Sequence, residues 1–211
     1  MARKAPDREV IPVVQRVRIR YAKRGPLKFS SHRDFQRAFE RAVRRVGVPM
    51  AYSAGFNPHP KISYANAAAT GTASEAEYVE IGLVSEVDPA VLVTTLQTSM
   101  PRGLDVLEAV TAVTPDFVER LEASVWKIAL PRADSEVVAA AVSQFLVQPD
   151  VQVSRMTKNG LRTFDARHAV IGLTVEPAET TESGLVCAIL RLVVRDRKST
   201  RLNSSHVKRS R

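Results

Sequence analysis

Gln15-Arg16-Val17-Arg18-Ile19-Arg20-Tyr21-Ala22-Lys23 is the stretch whose reading decides the fold. Val17, Ile19 and Tyr21 fall on one face and Arg16, Arg18 and Arg20 on the other, the period-two alternation of a strand half-buried against a core. The period then changes. After Gly25-Pro26 comes Ser30-Ser31, followed by a predicted helix to about Val46 that puts Phe35, Phe39, Ala42 and Val46 on one side and stops at Gly47. Ser31 with Asp34 three residues later has the spacing of a capping box, worth about 1 kcal/mol to helix initiation. Opposite the apolar stripe, Arg33, Arg37, Arg41 and Arg44 form a basic ridge about three turns long.

The same alternation of periods continues outward. Glu77 to Leu83 reads as a strand with Val79, Ile81 and Leu83 inward. Asp88-Pro89 opens a second helix by the N-cap and first-turn proline rule, with Leu92, Leu96 and Met100 on its apolar face and Gly103 closing it. Leu104 to Val113 is extended. With a further strand in or after residues 52–63, the order βαββαβ predicts an α+β, ferredoxin-like domain over residues 12–113: a four-stranded antiparallel sheet with both helices on one face. Residues 114–122 are the linker, and the pattern restarts after it. Ser124 to Leu130 is a strand, Asp134-Ser135 caps a helix through Ala139, Val142 and Leu146, Val151 to Thr157 and Arg162 to Val175 are extended, and Gly184 to Val194 is a strand. Lys158-Asn159-Gly160 is a hairpin turn in which Asn-Gly suits type I′. Residues 123–195 thus read as a second ferredoxin-like βαββ unit that lacks its closing helix and strand.

Between the first helix and the second strand lies Tyr52-Ser53-Ala54-Gly55-Phe56-Asn57-Pro58-His59-Pro60-Lys61-Ile62-Ser63. Gly55 opens backbone angles closed to other residues, and Pro58 and Pro60 push Asn57 and His59 toward extended conformations. Such a loop is stiff and suits contact. The candidate binding set is Ser31, His32, Tyr52, Ser53, Gly55, Phe56, Asn57, Pro58, His59 and Lys61. His32, near a helix start, has a local hydrogen-bonding role available. His59 lies in a loop with Ser53 and Asn57, which makes it the better candidate for a polar or acid/base role, yet no carboxylate stands at a fixed spacing to orient the imidazole.

Charge is polarised along the chain. Residues 1–61 carry a net +11 and residues 62–195 a net −7, which the overall +9 conceals. Residues 1–11 read as a basic, disordered N-terminus. The last sixteen residues are set apart: Asp196-Arg197-Lys198-Ser199-Thr200-Arg201-Leu202-Asn203-Ser204-Ser205-His206 corresponds codon for codon to a common sequencing-library adapter, so residues 196–211 are excluded from fold reasoning as a disordered artefact. Met1 to Asp7 lacks the apolar core of a signal peptide, and no run of about 18 apolar residues occurs, which predicts a cytoplasmic protein with no membrane contact. The only cysteine, Cys187, lies in an apolar run, so this chain alone forms no disulfide, cysteine zinc site or iron–sulfur cluster. The four histidines show no metal-ligand spacing, and no phosphate-binding glycine loop occurs.

Phe29-Ser30-Ser31-His32-Arg33-Asp34 with the helix after it, Pro49 with Tyr52 to Pro60, and Gly71-Thr72-Ala73-Ser74-Glu75-Ala76-Glu77-Tyr78 together resemble the radical SAM-linked protein family, a bacterial domain of unknown function, over roughly residues 12–195. Arg33 stands where that family usually has leucine. Members are found fused to, or encoded beside, a radical SAM protein that often also carries a cobalamin-binding-like domain. The resemblance therefore implies a radical SAM partner and no reaction for this chain. A radical SAM enzyme needs a C-x-x-x-C-x-x-C run, which is absent here, so no cofactor is expected on this chain, and SAM and the iron–sulfur cluster are expected on the partner.

Three functions follow from these residues. The first is an accessory that binds or positions RNA, with Arg16, Arg18, Arg20, Arg33, Arg37, Arg41 and Arg44 meeting phosphates and Tyr52 and Phe56 beside them. The second is an RNA-processing or RNA-modifying enzyme using His59 with Ser53 or His32. The third is a structural partner docking on acidic protein surface, and for the strand arginines also a solvated face or pairing with acidic residues of the second domain.

Overall fold

A computed structural model of the chain describes residues 10–65, 67–181 and 184–195. The expected disordered arm, apart from Val10 and Ile11, and the adapter-like residues 196–211 lie outside the described residues. The chain divides into two compact units, the first ending at Val118 and the second beginning at Glu119.

In the first unit the order is β1 (Gln15–Lys23), α1 (His32–Arg45), β2 (Ile62–Tyr64), β3 (Ser74–Leu83), α2 (Pro89–Gln97) and β4 (Val106–Thr111). The strands form one antiparallel sheet in the order β2-β3-β1-β4, the split βαβ arrangement of a ferredoxin-like fold. Alternation sets which face is buried. Val17, Ile19 and Tyr21 point inward beside their β3 neighbours Val79 and Ile81. Phe35, Ala38, Phe39, Ala42 and Val43 of α1 and Leu92 and Leu96 of α2 pack into the same cluster, so both helices cover one face of the sheet. Each fully buried side chain of this size contributes roughly 1.5–3 kcal/mol. Helix α2 ends at Gln97, earlier than its apolar spacing suggests, but Met100 still enters the core.

Caps fix where these helices start. Ser31 Oγ accepts from the Asp34 N–H at 3.2 Å while Asp34 Oδ2 accepts from the Ser31 N–H at 3.1 Å, a complete capping box. Asp88 Oδ1 accepts from the Ala90 N–H at 2.8 Å, with Pro89 at the first helical position. Gly47 and Gly103 follow the two helices at φ 70° and 91°. At Gly103 a Cβ would meet the Arg24 carbonyl oxygen at 2.9 Å, so glycine is required twice over.

The second unit repeats the first three strands and first helix. It contains β5 (Ala123–Pro131), α3 (Ser135–Val147), β6 (Gln152–Thr157), β7 (Gly160–Asp165), a short α4 (Ala166–Ala169), β8 (Val170–Thr180) and β9 (Val186–Arg195). One sheet runs β5-β9-β8, all antiparallel, and β6-β7 is a separate hairpin. With β5, β8 and β9 in the places of β1, β2 and β3, the hairpin is an insertion between helix and second strand, where the first unit has residues 52–61.

Three details depart from the sequence reading. Residues 162–175 are not one extended segment, because Asp165 Oδ1 and Oδ2 accept from the Arg167 and His168 N–H groups at 2.9 and 3.2 Å and turn the chain into α4. The hairpin turn is not type I′ either. Thr157 pairs with Gly160, and the positive φ sits on Gly160 at 100° and not on Asn159. Helix α3 lays Val138, Val142, Phe145 and Leu146 inward, whereas Ala139 is exposed. Among the described residues of this unit, only Cys187, Ala188 and Ile189 are fully buried.

Candidate functional site

Residues 52–61 leave the core as a closed loop. Ala51 is buried, its N–H bonded to Gly82 O at 2.8 Å and its carbonyl to the Lys61 N–H at 2.7 Å, while the Gly82 N–H returns to Lys61 O at 2.9 Å. A Cβ on Gly82 would press Val13 Cγ2 at 3.2 Å and Lys61 Cβ at 3.4 Å, so the loop base is close-packed. Above it, Tyr52 pairs with Pro60, the Ser53 N–H donates to His59 O at 2.8 Å, and the His59 N–H donates to Ser53 Oγ at 3.0 Å. Two short rungs thus hold the tip, where Gly55 has φ 119°. Tyr52 and Phe56 remain 45% and 50% exposed, and Asn57, Pro58 and His59 are exposed beside them. Ile62 and Ser63 belong to β2.

This geometry presents surface, and among the described residues no hydrogen bond or ion pair engages the imidazole of His59. The Ser53 hydroxyl accepts from the His59 N–H, which ties the two sides of the loop together. Ser31 and His32 stand apart from the loop along the helix. They start α1, at the opposite end of that helix from the one that leads into the loop. Ser31 is the cap. The His32 ring meets Tyr64 edge-on at 5.3 Å and its Nε2 lies 3.0 Å from Gln36 Nε2.

The seven candidate arginines fall into two electrostatic classes. Those of β1 lie on the face of the sheet away from the helices and find carboxylates there. Arg18 Nε donates to Glu80 Oε2 at 2.8 Å, Arg16 reaches Glu80 at 3.5 Å, and Arg20 pairs with Glu108 at 3.2 Å. Arg18 and Glu80 are direct cross-strand neighbours, as are Arg20 and Glu108, the arrangement in which opposite charges stabilise a sheet. Arg18 also donates to Thr114 Oγ1 at 3.1 Å and to the Thr114 and Pro115 carbonyls, and its guanidinium sits 5.4 Å from the Phe117 ring. The connecting segment is therefore fastened onto this face, and Phe117 is buried. The partners are acids of the same unit.

Helix α1 differs. Arg33, Arg37, Arg41 and Arg44 are all exposed, and so is Arg45, which the ridge spacing omitted. Among the described residues none of the five forms an ion pair, whereas Arg16, Arg18, Arg20 and Arg24 all do. Asp34 is the acid that feels this ridge. Its carboxyl is held below the usual carboxylate range first by the Ser31 hydroxyl and N–H, then by the charge of Arg37.

A second polar cluster was not legible in the sequence. Lys23 and Glu77 are buried, 5% and 3% exposed, and hold the backbone of Ala68 from both sides: Glu77 accepts from the Ala68 N–H at 3.2 Å and Lys23 Nζ donates to Ala68 O at 3.5 Å and Ser30 O at 3.2 Å. Together they seat the Gly71–Tyr78 motif against the Phe29–Asp34 motif. A charged residue that ends an alternating strand gives no hint that it is buried until its loop partner is known.

A cavity of about 370 Å³ lies in the second unit, lined by Gln148, Pro149, Arg167, His168 and Arg195. Arg167 is already engaged there, donating to the Leu146 and Val170 carbonyls at 3.3 Å each, so it fastens the end of α3 to β8. Among the described residues no group of His, Cys, Asp or Glu is placed to hold a metal ion, and no helix is long and apolar enough to cross a membrane.

The model of a family described as uncharacterized protein conserved in bacteria, DUF2344, matches residues 16–203. The chain belongs to that family. The match spans both units, including the loop and α1, so the DUF2344 pattern is a two-unit pattern. No curated protein matches the chain.

Proposed function

We propose that this DUF2344 chain is a non-catalytic accessory of a radical SAM enzyme, acting in the cytoplasm, that holds an RNA substrate along α1 and the loop tip at residues 52–61. The observation that carries it is the contrast between neutralised and free arginines. The charge on β1 is met by Glu80 and Glu108, but Arg33, Arg37, Arg41, Arg44 and Arg45 present, among the described residues, a row without ion pairs over about three turns. A row of that kind suits phosphates, and exposed Tyr52 and Phe56 offer faces for unstacked bases. The reading accordingly moves the contact surface off the sheet. The radical SAM partner, with its SAM, cluster and any cobalamin, rests on the motif resemblance, and the chemistry belongs to that partner. An enzyme built on His59 draws no support from a Ser53 hydroxyl that serves the backbone.

The test is titration against a hairpin RNA over a range of salt. Log affinity should fall linearly with log salt, and Arg37→Glu with Arg41→Glu should weaken binding and lower the slope by about 2, at roughly 0.9 for each phosphate that is no longer neutralised. Binding without salt dependence, or none at low salt, overturns the proposal. Copurification with a protein that survives nuclease and high salt would assign the ridge to an acidic protein surface instead.

A further inference from the structure

The cavity of about 370 Å³ in the second unit is walled by cationic and neutral side chains, with no carboxylate in its lining among the described residues. It lies at a corner where three elements end. Gln148 and Pro149 follow α3, Arg167 and His168 belong to α4, and Arg195 ends β9, one position past the Val170–Val194 pair of β8 and β9. Arg167 is held from two sides. Its Nε and Nη1 donate to the Leu146 and Val170 carbonyls, the first of which belongs to the last turn of α3 and has no partner within the helix. Nη2 makes no hydrogen bond among the described residues, so a guanidinium already fixed in place keeps a donor edge to spare. The side chains of Arg195 and Gln148 likewise make no hydrogen bond or ion pair among the described residues. The neighbouring acids are engaged with their own elements. Asp165 Oδ1 accepts from the Val151 and Arg167 N–H groups at 2.9 Å each and Oδ2 from the His168 N–H at 3.2 Å, while Asp150 Oδ2 accepts from Gln152 Nε2 at 3.1 Å. The Asp165 carboxylate also acts electrostatically on His168, which leaves the two guanidiniums to set the charge of the cavity.

We propose that this cavity binds a phosphate monoester group, with Arg167 and Arg195 as its charge partners and Gln148 and His168 as further donors. Charge and valence select the ligand. A phosphate monoester carries about −1.5 to −2 charge near neutral pH and three strong acceptor oxygens, which two guanidiniums match. Guanidinium forks meet such oxygens in pairs, and Arg167 has lost its freedom to the carbonyls beforehand, so little ordering remains for the ligand to impose. A carboxylate offers two oxygens and a single charge, and leaves part of this donor set idle. The volume admits the phosphate with a sugar-sized body attached to it, which suits a small free monoester and the terminal phosphate of an oligonucleotide alike. The site lies wholly in the second unit, and the inference does not rest on RNA binding by α1.

The full chain is titrated with inorganic phosphate, adenosine 5′-monophosphate and acetate, followed by calorimetry and by backbone amide shifts. The expected result is a saturable shift at Gln148, Arg167, His168 and Arg195 with both phosphates, and acetate weaker by about tenfold or more. Arg195→Gln removes an exposed side chain without a partner among the described residues, so it should keep the fold and weaken adenosine 5′-monophosphate by about tenfold. Arg37→Glu, on α1, should leave that affinity unchanged. A 5′-phosphorylated RNA oligonucleotide set against its 5′-hydroxyl form separates the two sources. A gain from the phosphate that vanishes in Arg195→Gln assigns the site to a nucleic-acid end; no gain, with adenosine 5′-monophosphate still bound, assigns it to a free monoester. The proposal is overturned by the absence of a saturable shift at these residues, by acetate binding as tightly as phosphate, or by an Arg195→Gln chain that binds adenosine 5′-monophosphate like the parent.

Discussion

Tyr64 shows at the scale of one residue how this core tolerates a polar atom. Burial, and then the charge of Glu40, push its phenol well above the ordinary tyrosine value, and its hydroxyl is buried with no hydrogen-bond partner among the described residues. The ring is held by edge contacts to His32 at 5.3 Å and Phe35 at 6.1 Å, neither of which uses the oxygen. An unpaired buried hydroxyl costs about 1–3 kcal/mol, so Tyr64→Phe should leave stability unchanged or raise it by about 1 kcal/mol in urea denaturation. A clear loss would mean that the oxygen is bonded in solution. Asp34 predicts a pH effect. Its carboxyl pKa in the folded chain lies below the unfolded value near about 3.9, so its contribution is fully present above that value and disappears as pH falls through the folded pKa. Asp34→Asn should therefore flatten the acid side of the stability profile below about pH 4. An acid limb as steep as in the parent chain would show that other carboxylates set it.

The elements differ in how much of them could be read in advance, and α1 and β1 mark the two extremes. Helix α1 was legible because everything that defines it is local: a cap at Ser31, a reciprocal bond from Asp34, apolar residues at three and four, a glycine at its end. The faces of β1 were legible for the same reason. What its arginines do was not, because Arg18 meets Glu80 across 62 positions of sequence, and only the β1–β3 register brings them opposite. The loop at 52–61 was recognisable by composition, but its rungs from Tyr52 to Pro60 and Ser53 to His59 depend on a base set by Gly82. Asp165 likewise hid a cap inside an apparently continuous strand. The distinction has a measurable side. Arg18 and Glu80 are mostly buried, at 15% and 10% exposure, while Arg20 and Glu108 are 39% and 58% exposed. Glu80→Gln should cost about 1–3 kcal/mol, since it removes the negative charge that faces a mostly buried guanidinium. Glu108→Gln should cost less than about 1 kcal/mol. Equal losses from the two, by denaturant titration, would mean that the strand arginines are not fixed by their depth in the sheet.

Across the whole molecule the stabilising material is unevenly shared. The first unit joins both helices and all four strands in one buried cluster, whereas the second fully buries Cys187, Ala188 and Ile189 and leaves every residue of α3 at least partly in water. Apolar area removed from water is the main favourable term in folding, so two units so unequal in it should not melt together. Trp126 lies in the weaker unit and α1 in the stronger, which allows the two to be followed separately. Under increasing urea, Trp126 emission should change first and with a shallow slope, because little surface is newly exposed. The far-ultraviolet helix signal should keep most of its amplitude through that step and fall in a second, steeper transition. On the proposed function, RNA binding should follow the second transition, since the ridge and the loop both belong to the first unit. Coincident transitions in all three signals would show that the units are coupled more tightly than their separate cores imply. Loss of RNA binding with the first transition would move the contact surface into the second unit.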